Sequence, residues 1–139
     1  MKQNNLLLLA ATLVTVLNFQ SCSKYEDNPA FSLSSKKSRL VGEWEVVRVD
    51  GQSSSQYFGP GYTYTFEFES DGDFEYGYTY TDGVNTYSYS YSGEWEWENN
   101  KEEIEVELNG TIMDFKIKKL TNKELKLEYD NVEMEFEKN

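Results

Sequence analysis

From Leu40 to Lys138 the chain is a series of short runs in which apolar or aromatic residues alternate with polar ones, separated by turn residues. A period of two marks a strand with one buried face, and no ten-residue stretch carries the spacing of an amphipathic helix. The runs cover 40–49, 62–69, 73–81, 86–98, 102–108, 111–119, 123–130 and 132–138. They predict eight antiparallel strands on short loops, with one long connection, "GQSSSQYFGPG", over 51–61. Short strands at this spacing point to an up-and-down sheet.

The turns fix the register. Inward residues of neighbouring strands must face one another, so each loop length has to agree with the phase of its strands. Phe68 then opposes Phe74 across Ser70-Asp71-Gly72, with Gly where a type I turn and bulge needs a left-handed residue. Tyr80 opposes Tyr87 across "TDGVNT", Leu108 opposes Thr111 across Asn109-Gly110, and Tyr129 opposes Val132 across Asp130-Asn131. An open sheet would leave two edges. Pairing the last run (Val132, Met134, Phe136) with the first (Trp44, Val46) removes both and closes a barrel. The phase slips between Val46 and Val47, which predicts a bulge or bend there.

The first run opens with "LVGEW", Leu40 to Trp44. Its Gly42-x-Trp44 resembles the start of the first strand in lipocalins, and also the small lipocalin-like lipoprotein domains of Bacteroidota. The expected fold is all-β: an eight-stranded antiparallel up-and-down (lipocalin-like) β-barrel over 39–139. The sequence has neither the C-terminal helix nor the stapling disulfide common in true lipocalins, so the resemblance is to the lipocalin-like group.

Ahead of the barrel, Lys2 is followed by an apolar run from Leu6 to Phe19 and by Ser21-Cys22. This is the layout of a secretory signal over 1–21. About 14 apolar residues are too few for a bilayer that needs about 20. Cys22 is the only cysteine. In "FQSC" it resembles the lipobox of bacterial lipoproteins, whose thiol is lipidated. Glu26-Asp27 just behind it resembles a surface-export signal of Bacteroidota. The resemblance implies an exported chain, lipid-anchored in the cell envelope, in the outer membrane on its periplasmic or surface face. Residues 22–38 are polar, rich in Ser and without periodicity, and read as a flexible tether.

With 139 residues there is room for one domain, and a formal net charge of −12 makes nucleic acid or an anionic membrane surface a poor partner. Within the inward set, Phe and Trp gather at the end where the tether enters and Tyr at the opposite, upper end. A buried Tyr hydroxyl without a partner costs about 1–3 kcal/mol, so the upper end is expected to be wet. Two readings follow. The Tyr rows are an amphipathic half of the core. Alternatively, Tyr62, Tyr64, Tyr78, Tyr80, Tyr87 and Tyr89 line a mouth, under a lid loop bearing Tyr57 and Phe58, that takes a small apolar or aromatic molecule or a sugar face.

On the outer face Glu94, Glu96 and Glu98 are expected to oppose Glu107, Glu105 and Glu103, an unfavourable arrangement of like charges. It reads as a solvated face, with a divalent cation or a basic protein as the alternative.

There is no His, which removes Ser-His and Cys-His nucleophile pairs and ordinary zinc or haem ligation. The carboxylates point outward, and "SDGD" lacks the rest of a calcium loop. The expectation is a non-enzyme with no cofactor and no metal. Two classes remain: a lipocalin-like small-molecule binder, or an envelope protein-interaction module (inhibitor or adaptor) using the barrel rim or the acidic face.

Overall fold

The structure, a computed structural model, describes residues 35–139. The signal segment, Cys22 and most of the tether lie outside the described residues. In chain order the elements are α1 (Lys36–Leu40), β1 (Gly42–Val49), β2 (Gln52–Ser53), α2 (Ser54–Tyr57), β3 (Tyr62–Phe68), β4 (Asp73–Thr81), β5 (Thr86–Glu98), β6 (Glu103–Leu108), β7 (Thr111–Leu120), β8 (Glu124–Tyr129) and β9 (Val132–Lys138). Each long strand pairs antiparallel with the next, and β1 also pairs with β9, so the eight long strands close into a barrel. The short β2 adds to the upper end of β1 through Arg48↔Ser53.

The pairing is the one the turns dictate. Phe68 opposes Phe74, Tyr80 opposes Tyr87, Leu108 opposes Thr111 and Tyr129 opposes Val132. Gly72 takes a φ of +106°, which a side chain rarely adopts. In the β1–β9 pairing the register shifts between Val46 and Arg48, so Val47 is the bulged residue and Val46 and Val49 both reach the core. A second shift, between Ile117 and Lys119 in β7, brings Ile117 and Leu120 inward together.

Two stretches differ from the expectation. Residues 36–40, taken from the sequence as the end of the tether and the start of the first strand, form α1. Its N-cap is Ser35, whose hydroxyl accepts from Ser38 N at 3.1 Å. Two of its carbonyls and that of its C-cap, Val41, are taken by side chains of the barrel. Lys138 Nζ donates to Arg39 O at 2.9 Å and Val41 O at 2.6 Å, and Trp44 Nε1 to Leu40 O at 2.7 Å. Those bonds satisfy the orphan groups of a helix C-terminus. They also pin α1 across the lower end of the barrel, where Arg39 donates to Leu120 O at 2.8 Å and Leu40 is fully buried. The long 51–61 connection is likewise not plain loop: it holds β2 and α2, opened by a Ser53–Gln56 capping box.

The resembling motif has a structural purpose. Trp44 is fully buried, with the Lys138 ammonium 4.9 Å from its ring centre. Gly42 has φ +128°, and a Cβ there would meet Lys138 Cε at 2.7 Å. Gly42 thus lets Lys138 lie across the first strand, over Trp44.

The core fills the lower and middle barrel. Trp44, Phe66, Phe68, Phe74, Trp95, Phe115 and Phe136 are buried with the aliphatic residues Ile104, Val106, Ile117, Leu120, Leu125 and Leu127. Their rings touch one another, as in Phe66–Phe136 at 5.0 Å and Phe68–Trp95 at 5.6 Å between centres. Each such burial contributes about 2–3 kcal/mol. Every long strand and the whole core cluster lie within 35–139.

Candidate functional site

The sorting of rings along the strands is as expected: Phe and Trp lie low and are buried, Trp97 only partly, and Tyr is half-buried or exposed high. What the tyrosines build is a face rather than the wall of a mouth. The upper halves of β3, β4 and β5 run on beyond the level at which β6 joins the sheet, because β6 pairs with β5 only from Gly93↔Leu108 downward. Side chains at every second position then stand in rows across the three strands.

One row is Tyr62, Tyr80 and Tyr87, with ring centres 4.6 and 6.5 Å apart. The next is Phe58, Tyr64, Tyr78 and Tyr89, at 4.2, 5.8 and 5.0 Å. The third is Phe66, Tyr76 and Tyr91, at 5.9 and 6.1 Å. Most neighbouring tyrosines in these rows are near parallel, with Tyr78 and Tyr89 at 21° and Tyr80 and Tyr87 at 15°. Rings in the middle of a row are covered on both sides. Each row ends on β5, where Tyr87, Tyr89 and Tyr91 are 46, 52 and 41 % exposed.

The structure places the eight residues expected at the mouth as follows. Tyr62, Tyr64, Tyr78, Tyr80, Tyr87 and Tyr89 share this face, and Phe58 packs on Tyr64 from the connection that carries α2. Tyr57 is exposed at the end of α2 and meets only the edge of Phe58, at 5.0 Å and 78°. The sequence reading missed Tyr76 and Tyr91, which extend the face toward the core. Their inward phase was visible in the alternation.

The hydroxyls reach water. Among the described residues the buried side-chain polar atoms without a partner are Arg39 Nε and Trp97 Nε1, and no tyrosine oxygen is among them. Burial, followed by the neighbouring hydroxyls of Tyr64, Tyr78 and Tyr91, pushes Tyr76 up to about 12. Burial also raises Tyr64 and Tyr78. The face is rich in π surface and dotted with donor–acceptor oxygens. It suits stacking and a few hydrogen bonds.

The turn at the tip, between β4 and β5, is stiffened by Asp82, whose Oδ1 accepts from Asn85 N at 2.7 Å and Val84 N at 2.9 Å. Those two bonds hold its carboxyl below the usual range.

The acidic outer face has the opposed pairs Glu94–Glu107, Glu96–Glu105 and Glu98–Glu103. Burial first, then the charges of Glu96, Asp114, Glu98 and Glu107, raises Glu105. Asp71, Asp73, Glu94, Glu96, Glu105 and Glu107 border an open cleft of about 330 Å³ on this side. Carboxylates of Glu69, Asp71 and Asp73, and of Glu96, Glu98 and Glu105, come close enough to share a cation, and nearly all are exposed.

Residues 40–127 match the sequence profile described as a lipocalin-like domain. A lipocalin-like protein from Bacteroides uniformis is similar in structure, with TM-score 0.55 and 18 % identity over 73 % of this chain and 99 % of that one. An uncharacterized protein from Bacteroides eggerthii gives TM-score 0.54 and 16 % identity over 72 % and 99 %. No curated protein matches the chain.

Proposed function

The chain belongs to the lipocalin-like domain family, and from that premise we propose that it is a non-catalytic binder of a small apolar or aromatic molecule, held on the tyrosine face rather than deep in the barrel. One observation carries this reading. The interior is occupied by rings in mutual contact, whereas Tyr87, Tyr89 and Tyr91 end their rows with about half of their surface open. A planar ligand laid against them continues a stack that already exists, and stacked aromatic pairs contribute about 0.5–1.5 kcal/mol each beyond area burial. Phe58 and Tyr57, on the connection that holds α2, border the other end of the middle row and can close over a bound molecule.

We further propose that residues 1–21 export the chain and that lipidation of Cys22 anchors it in the outer membrane. Residue 35 enters at the lower end of the barrel, under α1, so the tyrosine face is at the end away from the anchor. Two or three acyl chains would hold such a protein stably. Mass spectrometry of the membrane fraction tests the anchor: an acylated Cys22 at the mature N-terminus is expected, and an unmodified thiol contradicts it.

The binding reading is tested by titrating residues 23–139, which keep every described element, with fatty acids, bile acids, aromatic metabolites and glycans while following intrinsic fluorescence. A saturable change with a micromolar midpoint is expected. A flat response from folded protein overturns the small-molecule reading in favour of protein recognition on the rim or the acidic face.

A further inference from the structure

The upper half of β5 has a neighbour on one side only. β4 pairs with it from Thr81↔Thr86 to Asp73↔Glu94, whereas β6 pairs with it only below Ser92. Every residue from Thr86 to Ser92 is exposed, and among the described residues no strand or loop takes up the backbone groups along that outer edge. Such an edge is a template for another strand, and proteins usually blunt it with charge, proline, a bulge or a covering loop. Here those devices are missing. Gly83 to Gly93 contains no charged residue and no proline, and the β4–β5 pairing runs without a register shift.

The composition of the edge says what fits it. Its sequence, "TYSYSYS", reads almost the same in either direction about Tyr89. Laid antiparallel on a second copy, Tyr89 meets Tyr89, Tyr87 meets Tyr91, and Ser88 meets Ser90. All the rings then fall on one face and all the hydroxymethyl groups on the other. The free ring faces that end each tyrosine row would stack on those of the second copy. Charge points the same way. A chain of formal charge −12 repels its own copies over most of its surface, and this strip is where two copies can touch without opposing carboxylates.

We propose that two copies of the chain pair edge to edge through Thr86–Ser92, antiparallel, about a two-fold axis at Tyr89. The interface is isologous and joins two three-stranded tyrosine faces into one six-stranded face. A single strand from each copy buries less than the roughly 1,200 Å² of a stable complex, so the dimer is weak and concentration-dependent. This pairing requires no ligand and does not depend on the small-molecule reading, and because it covers the same ring faces a stacked ligand would compete with it.

The test is sedimentation equilibrium of ligand-free residues 23–139 from about 10 µM to about 1 mM, a range that covers weak association. The wild type is expected to pass from monomer to dimer. Ser88→Lys plus Ser90→Lys sets lysines against lysines across the seam on an exposed face, and should stay monomeric with an unchanged circular dichroism spectrum. Ser88→Glu plus Ser90→Glu should behave the same way, and an equimolar mixture of the two variants should dimerise more tightly than the wild type. Tyr89→Cys should give a disulfide-linked dimer on oxidation, while Ser55→Cys on α2 should not. A wild type that is monomeric at the highest concentration, or a dimer undiminished in the lysine variant, overturns the proposal. A monomeric wild type leaves the edge to an extended peptide from another protein.

Discussion

The rings of Tyr78 and Tyr89 lie 5.0 Å apart and 21° from parallel, on neighbouring strands, at a height where no further strand covers Tyr89. Tyr64 flanks Tyr78 on its other side at 5.8 Å, so these three rings are the middle of the face. Replacing Tyr64 and Tyr78 together by Ala removes the support of the Tyr89 ring and leaves every fully buried Phe and Trp in place, although Tyr64 packs against that cluster. The expected outcome is loss of ligand binding by at least about tenfold, equal to about 1.4 kcal/mol, with the β-sheet spectrum retained. Unchanged binding in the double variant would remove the tyrosine face from the account.

Gly42 and Lys138 make the second prediction. Gly42→Ala forces a side chain into φ +128° and drives its Cβ against Lys138 Cε. Strain of this kind costs about 1–3 kcal/mol. It should also shift the ammonium away from Trp44 and the α1 carbonyls. Urea unfolding should show a lower midpoint at unchanged slope. Trp44→Phe should destabilise by a similar amount, about 1–3 kcal/mol, because Leu40 O loses its donor.

Alkaline pH gives the third. The Tyr76 hydroxyl is pushed up to about 12, mainly by burial, whereas in the unfolded chain it ionises near 10. Between these values the unfolded chain has given up the proton that the folded chain still holds. Stability is therefore unaffected below about pH 10 and falls as pH rises toward 12. Tyr64 and Tyr78, both raised, act in the same direction. Thermal melts from pH 8 to 12 should show this decline, and Tyr76→Phe should lessen it. An identical decline in the variant would mean that Tyr76 is not its source.

The acidic ladder gives the fourth. Glu105 is opposed by Glu96 on one side and Asp114 on the other. Its carboxyl is raised, so the folded state is penalised above the ordinary carboxylate range and relieved as the group is protonated. Glu105→Gln should raise Tm at pH 7, and the gain should shrink with added salt and disappear by about pH 4. A gain that persists at pH 4 would point to a cause other than like-charge repulsion.

The strand phases were legible because loop length and alternation constrain each other. Asn109-Gly110 and Ser70-Asp71-Gly72 admit only registers that keep Leu108 and Phe68 inward. The Val46–Val47 slip announced its bulge, and the slip between Ile117 and Leu120 could have announced the second. The helix α1 was hidden because five residues show no periodicity and are held by Lys138 from far along the chain, with Trp44 adding a bond from the first strand. The inward phase of the tyrosines and a wet upper end were legible, but the uncovered edge of their face was not. It depends on β6 ending at Leu108 while β5 runs on upward to Thr86, a difference in strand length that alternation alone does not weigh.

The most direct test of the central claim is a ligand titration of residues 23–139 read by aromatic ¹³C–¹H NMR, with the tyrosine rings assigned. The account predicts saturable shifts that are largest for Tyr78, Tyr89 and Tyr91 and small for Trp44 and Phe136. Shifts confined to the buried rings, or to residues around Glu105, would contradict it.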